Sequence, residues 1–442
     1  MTGHTDLVYG LDDRPGFVKA TFAAIQHVLA SFVGIITPTL VIGGVLGLGE
    51  HIPYLISMAL MVSGVATLIQ SRRTLGVGAG MLCVQGTSFA FLSSILAAGF
   101  IAKSKGGGPE EILSLIFTVC FFGAFIEIFL SLFIAKLRNV VTPLVTGIVI
   151  TLIGLSLIKI GMTDLAGGFK AKDLGSPENL MLGGSVLLIV ILVNQMKNPW
   201  FRISSIAIGL ITGFLIAMVM GKISFNNLPP IDLFSIPMPF KYGFSFDWAA
   251  FIPIALIYVI TAIESTGDIT ANCVISGENV KGEQYRKRIQ GGVLADGINS
   301  MIAATFNTFP NTTFSQNNGV IQLTGIASRY VGYFIGVLLI LLGIFPIVGA
   351  VLQQMPKPVL GGATLVMFAT VAAAGIKILK HVRLDRRNMM IIAVSLGLGL
   401  GVLMVPEVVA QLPNMAKNVF GSAITLGGIV AIFLNLVLPK HD

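Results

Sequence analysis

"FNTFPNTTFSQNNGVIQLTG", residues Phe306 to Gly325, lies between long apolar stretches, yet it carries a proline and sets three amides, Gln316, Asn317 and Asn318, side by side. A straight lipid-facing helix cannot absorb such a run, because every unsatisfied polar group in hydrocarbon is costly. A second stretch, "GVGAGMLCVQGTSFAFLSS" from Gly76 to Ser94, has the same character. Irregular backbone survives at membrane depth only where protein buries it or water reaches it. Both stretches are therefore expected to be interrupted segments inside a membrane protein.

The composition supplies that setting. The 442 residues are 55% hydrophobic and 11% charged, with a mean hydropathy of +0.90, whereas soluble domains carry roughly 25% charged residues. Runs such as "YFIGVLLILLGIFPIVGAVL" reach the ~20 apolar residues that a helix needs to cross ~30 Å of hydrocarbon. Such segments recur near 20–39, 54–70, 77–98, 111–134, 140–160, 180–196, 202–220, 249–275, 290–306, 314–327, 329–350, 359–380, 389–404 and 419–438. They predict an all-α polytopic protein of 14 transmembrane segments, one membrane unit over residues 1–442, with no separate soluble domain.

Charge placement orients the chain. The net charge of +8 comes from basic residues scattered singly through short loops, not from a patch suited to nucleic acid. With a cytoplasmic N-terminus, most Lys and Arg fall on the inside, including Arg72, Arg73, Lys136, Arg138, Arg286, Lys287, Arg386, Arg387 and Lys440. The bias predicts both termini in the cytoplasm. The opening "MTGHTDLVYGLDDRPGFVKA" lacks the basic region and short apolar stretch of a cleaved signal peptide. Cys83, Cys120 and Cys273 all fall in apolar segments and read as small core hydrophobes.

The two interrupted stretches also resemble each other. "TSFAF" from Thr87 aligns with "TTFSQ" from Thr312, and "TPLVTGIVI" from Thr142 aligns with "KPVLGGATL" from Lys357 at a similar offset. One duplication explains both, and an odd number of spans per repeat forces the halves into opposite orientation: a 7+7 inverted repeat. Interrupted segments at matching places in inverted halves mark the substrate site of a secondary transporter.

Ionisable residues at depth sharpen that reading. In "FIPIALIYVITAIESTGDITANCVIS", Glu264 and Asp268 stand four apart on one helical face. An acid at the bilayer centre costs ~2.5–3.5 kcal/mol on insertion scales, so its default meaning is functional. Two carboxylates sharing a low-dielectric face disfavour joint ionisation, and one of them is expected to bind and release a proton; a structural pair held by Thr and Ser hydroxyls is the other reading. Gln26 and His27 interrupt the first segment and are expected, with Asp296 and Asn317, to form a polar network, Asn317 pairing with Asp296. Glu127, in the apolar fourth segment, is expected to make a structural hydrogen bond. Phe89 and Phe314 either present rings to a flat ligand or pack in the core.

Nothing resembles metal-ligand spacing, a phosphate-binding loop or a nucleophile elbow. The chain is not expected to be an enzyme or to hold a cofactor, and active transport would run on an ion gradient. A carboxylate at Glu264, a primary amide at Gln316 and exposed backbone at the broken segments suit a ligand with adjacent N–H and C=O edges. An oxo-purine or pyrimidine base has such edges, and stacking on an aromatic ring adds ~1–3 kcal/mol per base.

At these residues the chain resembles the nucleobase-ascorbate transporters, also called nucleobase:cation symporters of the second type. Their signature is Gln, Glu or Pro, then Asn-x-Gly, four residues, Thr, and Arg, Lys or Gly. Gln316-Asn317-Asn318-Gly319 followed by Thr324-Gly325 meets every position. Gln26-His27, "QGTSFAF" from Gln85, "ESTGDITA" from Glu264 and "GGVLADG" from Gly291 extend the likeness over nearly the whole chain. Bacterial xanthine permeases are similar through "YGFSF", "GDITA", "QNNGVIQLTG" and "ASRYVG".

The resemblance implies short antiparallel strands in segments 3 and 10, and a core domain (about 15–138 and 245–350) moving in an elevator-like way against a gate domain (about 139–244 and 351–442). It implies that Glu264 and Gln316 hold the base, that Phe89, Ser88, Phe314 and Gly319 complete the substrate site, and that Asp268, Asp296, His27, Asn317 and Gln26 serve proton coupling and the polar network. It further implies proton symport of xanthine or a related oxo-purine across the inner membrane, H+ as the coupling ion, a surround of membrane lipid and a homodimer. Ser88 is smaller than the amide of some xanthine-selective relatives, which leaves room for uric acid; uracil is a further alternative. An anion transporter of the sulfate/bicarbonate type would want a positive site, whereas this one collects acids.

Overall fold

The computed structural model describes residues 7–134, 142–169, 171–223, 233–380 and 382–439. Lys136, Arg138 and Lys440, the division between 138 and 139 and both termini lie outside them. Long apolar runs become helices whose starts are set by proline or a capping side chain. The order is α1 (Phe17–Leu46), α2 (Ile52–Arg72), β1 (Gln85–Thr87), α3 (Leu92–Ser104), α4 (Pro109–Phe133), α5 (Pro143–Leu165), α6 (Pro177–Asn194), α7 (Pro199–Ile203), α8 (Ser205–Val219), α9 (Trp248–Ile275) and α10 (Glu283–Thr305). Then follow β2 (Asn311–Thr313), α11 (Ser315–Thr324), α12 (Arg329–Ile344), α13 (Pro346–Gln353), α14 (Lys357–Leu379), α15 (Arg386–Met404), α16 (Asn414–Phe420) and α17 (Ala423–Val437). Asp247 shows how a start is fixed: its carboxylate accepts the N–H groups of Ala249 and Ala250, two donors the helix cannot satisfy itself.

Among the described residues, eight helices are long and apolar enough to cross a membrane, or nine if α12 and α13, bent by 71°, form one span. Residues 89–104, α8 and α17 are shorter apolar helices. The segment expected at 202–220 is broken between α7 and α8, and Gln316, Asn317 and Asn318 lie in the first turn of α11 instead of in irregular backbone. The chain is a multi-pass membrane protein.

Packing follows paired rules. α2 packs on α12 and α4 on α10; α5 packs on α14 and on α15, and α6 on α14; α6 packs on α8 and α15 on α17. Small residues allow the α5–α14 approach. A Cβ on Gly375 would lie 2.9 Å from the Gly147 carbonyl oxygen, and one on Gly154 would lie 2.6 Å from the Ala372 Cα. Helices in lipid associate through such close contacts because hydrocarbon offers no hydrophobic drive. Gly375→Leu is therefore expected to cost about 1–3 kcal/mol by overpacking, read as a lower thermal-unfolding midpoint in detergent; an unchanged midpoint would contradict this interface.

The N-terminal segment is tied to the far end of α11. Val8 N–H donates to the Gly325 carbonyl (2.8 Å), Ala327 N–H to that of Tyr9 (2.9 Å) and Arg329 N–H to that of Leu11 (3.0 Å). Gly325 closes α11 in the left-handed conformation (φ 69°), where a side chain would be strained.

Candidate functional site

The two interrupted stretches meet. β1 and β2 pair antiparallel, with Gln85 opposite Thr313, Gly86 opposite Thr312 and Thr87 opposite Asn311. The Ser88 N–H donates to the Pro310 carbonyl (2.8 Å) and the Phe314 N–H to that of Val84 (2.9 Å). A two-stranded ladder leaves many backbone groups unpaired, and helix side chains satisfy them. Gln70 of α2 accepts the Ala79 N–H (2.9 Å), and its amide donates to the Gly292 carbonyl (2.9 Å) and to Asp296 (2.6 Å). Thr67 accepts the Gln85 N–H (3.0 Å), Asn272 donates to the Leu82 carbonyl (2.8 Å), and Ser300 accepts the Asn311 N–H (3.2 Å). These residues stand where sequence reasoning passed them over. Gln70 sits near the end of an apolar run, and its neighbours Arg72 and Arg73 make it look like the margin of a span.

Both strands lead straight into helical starts: a single 3-10 turn at Phe89–Phe91 that continues as α3, and α11. The N–H groups of a first turn have no acceptor in their own helix and carry partial positive charge. They flank the strand pair from opposite ends of the chain.

The acids occupy two kinds of place. Asp296 on α10 is fully buried and is bracketed by Gln70 and by the Ser265 hydroxyl of α9, with the Thr312 hydroxyl 3.3 Å from Ser265. Asp268, one turn beyond Glu264 on α9, accepts from the Thr313 hydroxyl (3.3 Å). Glu264 itself is half-buried and makes no hydrogen bond among the described residues; its Oε2 is buried without a partner.

The amides divide differently from expectation. Asn317 does not pair with Asp296. Its Nδ2 lies 2.9 Å from His27 Nδ1 and 3.4 Å from the His27 carbonyl oxygen, because α11 packs on α1 while α10 packs on α2, α4 and α9. Asn318, at the free position of the signature, is engaged as well, donating to the Asp268 carbonyl (3.2 Å) and accepting from Asn272 (3.0 Å). Gln316 is half-buried with its amide uncommitted among the described residues, Gly319 is exposed, and Gln26 is buried beside His27. Glu127 has the Thr261 hydroxyl of α9 beside it. Neither of its oxygens has a hydrogen-bond partner among the described residues.

The rings enclose this region. Phe314 lodges in a slot made by two glycines: a Cβ on Gly34 would lie 2.8 Å, and one on Gly86 2.7 Å, from its ring carbons. Phe89 meets Phe368 of α14 edge to face, with centroids 5.3 Å apart, an arrangement aromatic quadrupoles favour. The hydroxyls of Thr87 and Ser88 and the side-chain amide of Asn311 are buried without partners among the described residues, and such groups ordinarily have a water or ligand to answer them. Gly86→Val would drive a branched side chain into Phe314 and Ile35. It is expected to cost about 1–3 kcal/mol and to abolish ligand-induced thermal stabilisation; retained stabilisation would contradict the ring's placement.

Residues 18–408 match the Permease family (Xan_ur_permease). The xanthine permease XanP of Escherichia coli K12 is 44% identical over 446 aligned residues, spanning 100% of this chain and 96% of that one. The xanthine permease XanQ of the same organism is 45% identical over 439, spanning 98% and 94%. In fold, the chain is similar to the murine anion transporter Slc26a9 in its inward-facing state, with a TM-score of 0.63 at 11% identity, covering 97% of this chain and 69% of that one. These relatives are permeases, not enzymes. The chain belongs to this Permease family, the nucleobase:cation symporters of the second type whose signature its Gln316–Gly325 stretch carries.

Proposed function

We propose that the chain is a proton-coupled symporter that takes up a purine nucleobase, xanthine first, across the inner membrane, with both termini in the cytoplasm. One observation carries the reading. Glu264 and Gln316 are uncommitted among the described residues, on helices α9 and α11 that pack together, whereas Asp268, Asp296, Asn317 and Asn318 are each tied to the scaffold. A carboxylate and a primary amide placed this way match the N–H and C=O edges of an oxo-purine, with Phe89, Ser88, Phe314 and Gly319 around them. The XanP and XanQ likenesses support xanthine. The small Ser88 favours uric acid as the second substrate. The Slc26a9 likeness concerns fold alone, and a site gathering Glu264, Asp268 and Asp296 is a poor host for an anion.

The inverted repeat of fourteen spans has support in the contacts. If α1, α2, α4, α5, α6 and α8 correspond to α9, α10, α12, α14, α15 and α17, then α4 on α10 maps to α12 on α2, α6 on α14 to α15 on α5, and α6 on α8 to α15 on α17. Aligning Thr87 with Thr312 also maps the pair Gly86–Thr312 onto Thr87–Asn311, so the ladder maps onto itself.

The contacts also support a division into core and gate. α1–α4 with α9–α13 form one packed set and α5–α8 with α14–α17 the other, joined chiefly through α1, α9 and α11. Ser235 N–H donates to the Ile344 carbonyl and Phe240 N–H to that of Thr305, both at 2.8 Å, which ties residues 235–240 to the ends of α12 and α10. In our account the core carries the base past the gate as a rigid body, Asp268, Asp296 and His27 support coupling with Gln26 and Asn317, and two copies join through the gate.

The test is a thermal-shift panel on purified protein with xanthine, uric acid, uracil, ascorbate and sulfate. Xanthine is expected to give the largest stabilisation. Stabilisation by sulfate alone would overturn the reading.

A further inference from the structure

Glu127 is the buried acid that the site above leaves unused. It lies in α4 at 1% exposure, and both its oxygens lack a hydrogen-bond partner among the described residues. The Thr261 hydroxyl of α9 stands beside it and lies 3.2 Å from the Tyr258 carbonyl oxygen. Glu127 and Asp296 flank the closest approach of α4 and α10. α4 and α10 approach so closely that a Cβ on Gly297 would lie 2.8 Å from the Ile128 nitrogen and 3.3 Å from the Ala124 carbonyl oxygen. Gly297 and Ile128 are the chain neighbours of Asp296 and Glu127. The titratable groups facing Glu127 are Asp296 from α10 and Glu264 and Tyr258 from α9; none of these is basic.

A carboxyl placed in a membrane span with no cation and only a single hydroxyl beside it does nothing for packing that Leu or Met would not do at lower cost. We propose that Glu127 is a proton-exchanging residue of the transport cycle, passing a proton to and from Asp296. The proposal rests on the proton-coupled reading above. In the step, the Glu127 carboxyl O–H bond breaks and an O–H bond forms on the Asp296 carboxylate, so the pair keeps one negative charge throughout. Thr261 and Ser265, four apart on one face of α9, stand beside Glu127 and Asp296 respectively. Each hydroxyl relays by accepting one proton as it releases another. Asp296 thereby changes its charge without a bare proton crossing apolar packing.

The experiment uses the full chain in proteoliposomes, with wild type, Glu127→Gln and Glu127→Asp compared for xanthine binding, proton uptake per xanthine and the pH profile of uptake. Glu127→Gln is expected to bind xanthine within about threefold of wild type while proton uptake falls about tenfold and the pH profile flattens. Glu127→Asp, which keeps the carboxyl but draws it back by one methylene, is expected to keep proton uptake with a displaced pH profile. Glu127→Gln with wild-type proton uptake and pH profile overturns the proposal. Should that variant fail to fold, an unchanged profile in Glu127→Asp overturns it and a displaced one supports it. Wild-type protein that moves xanthine without protons overturns instead the reading on which the proposal rests.

Discussion

Replacing Glu264 by alanine is expected to abolish xanthine uptake and to weaken xanthine binding by about 100-fold or more. Glu264 makes no hydrogen bond among the described residues that its loss would disturb, so the fold should survive and the deficit should appear in ligand binding. Hydrogen bonds to a charged group contribute about 1.5–3 kcal/mol each, and two bonds from a base edge to one carboxylate multiply to the stated loss at about 1.4 kcal/mol per tenfold. Thermal shift should show an unchanged midpoint without ligand and no xanthine stabilisation. Wild-type stabilisation by xanthine in Glu264→Ala would remove this residue from the site. Glu264→Gln keeps the shape and one acceptor, so it should bind with a smaller deficit and fail to accumulate substrate.

Asp296→Ala should behave in the opposite way, damaging the scaffold first. The Asp296 carboxylate accepts from Gln70 and Ser265, and Gln70 in turn holds the Ala79 N–H. Removing the acceptor strands two buried donors at about 1–3 kcal/mol each, and loosens the stretch that leads to β1. A fall in the unfolding midpoint without ligand, together with loss of uptake, is the expected result; Asp296→Asn should recover most of the stability and little of the uptake. Equal stability of Asp296→Ala and wild type would show that the bracket does not hold β1 in place.

The contrast between these two acids explains what could be seen from the sequence. Glu264, Asp268 and Asp296 stand out because an ionisable group in an apolar run is costly wherever it points. Gly76–Ser94 and Phe306–Gly325 stand out because small and polar residues interrupt a span, and their mutual likeness announces that they belong together. What a single chain read in one dimension does not supply is which polar group answers which. The sequence suggests that Asn317 meets Asp296, but the packing of α11 on α1 gives it to His27. Gln70, Thr67 and Asn272, which satisfy the broken backbone, carry no signal beyond being polar in a helix, and their partners lie on other elements of the fold. Glu127 needs three-dimensional context most of all, because its lack of a partner is visible only once α4, α9 and α10 are assembled.

The most direct test of proton-coupled uptake uses purified protein in sealed proteoliposomes, with labelled xanthine outside and an inward proton gradient imposed by a pH jump. The account predicts transient accumulation of xanthine above its equilibrium level, abolished by a protonophore and absent in Glu264→Gln. Xanthine that only equilibrates, at the same rate with and without the gradient, would contradict it.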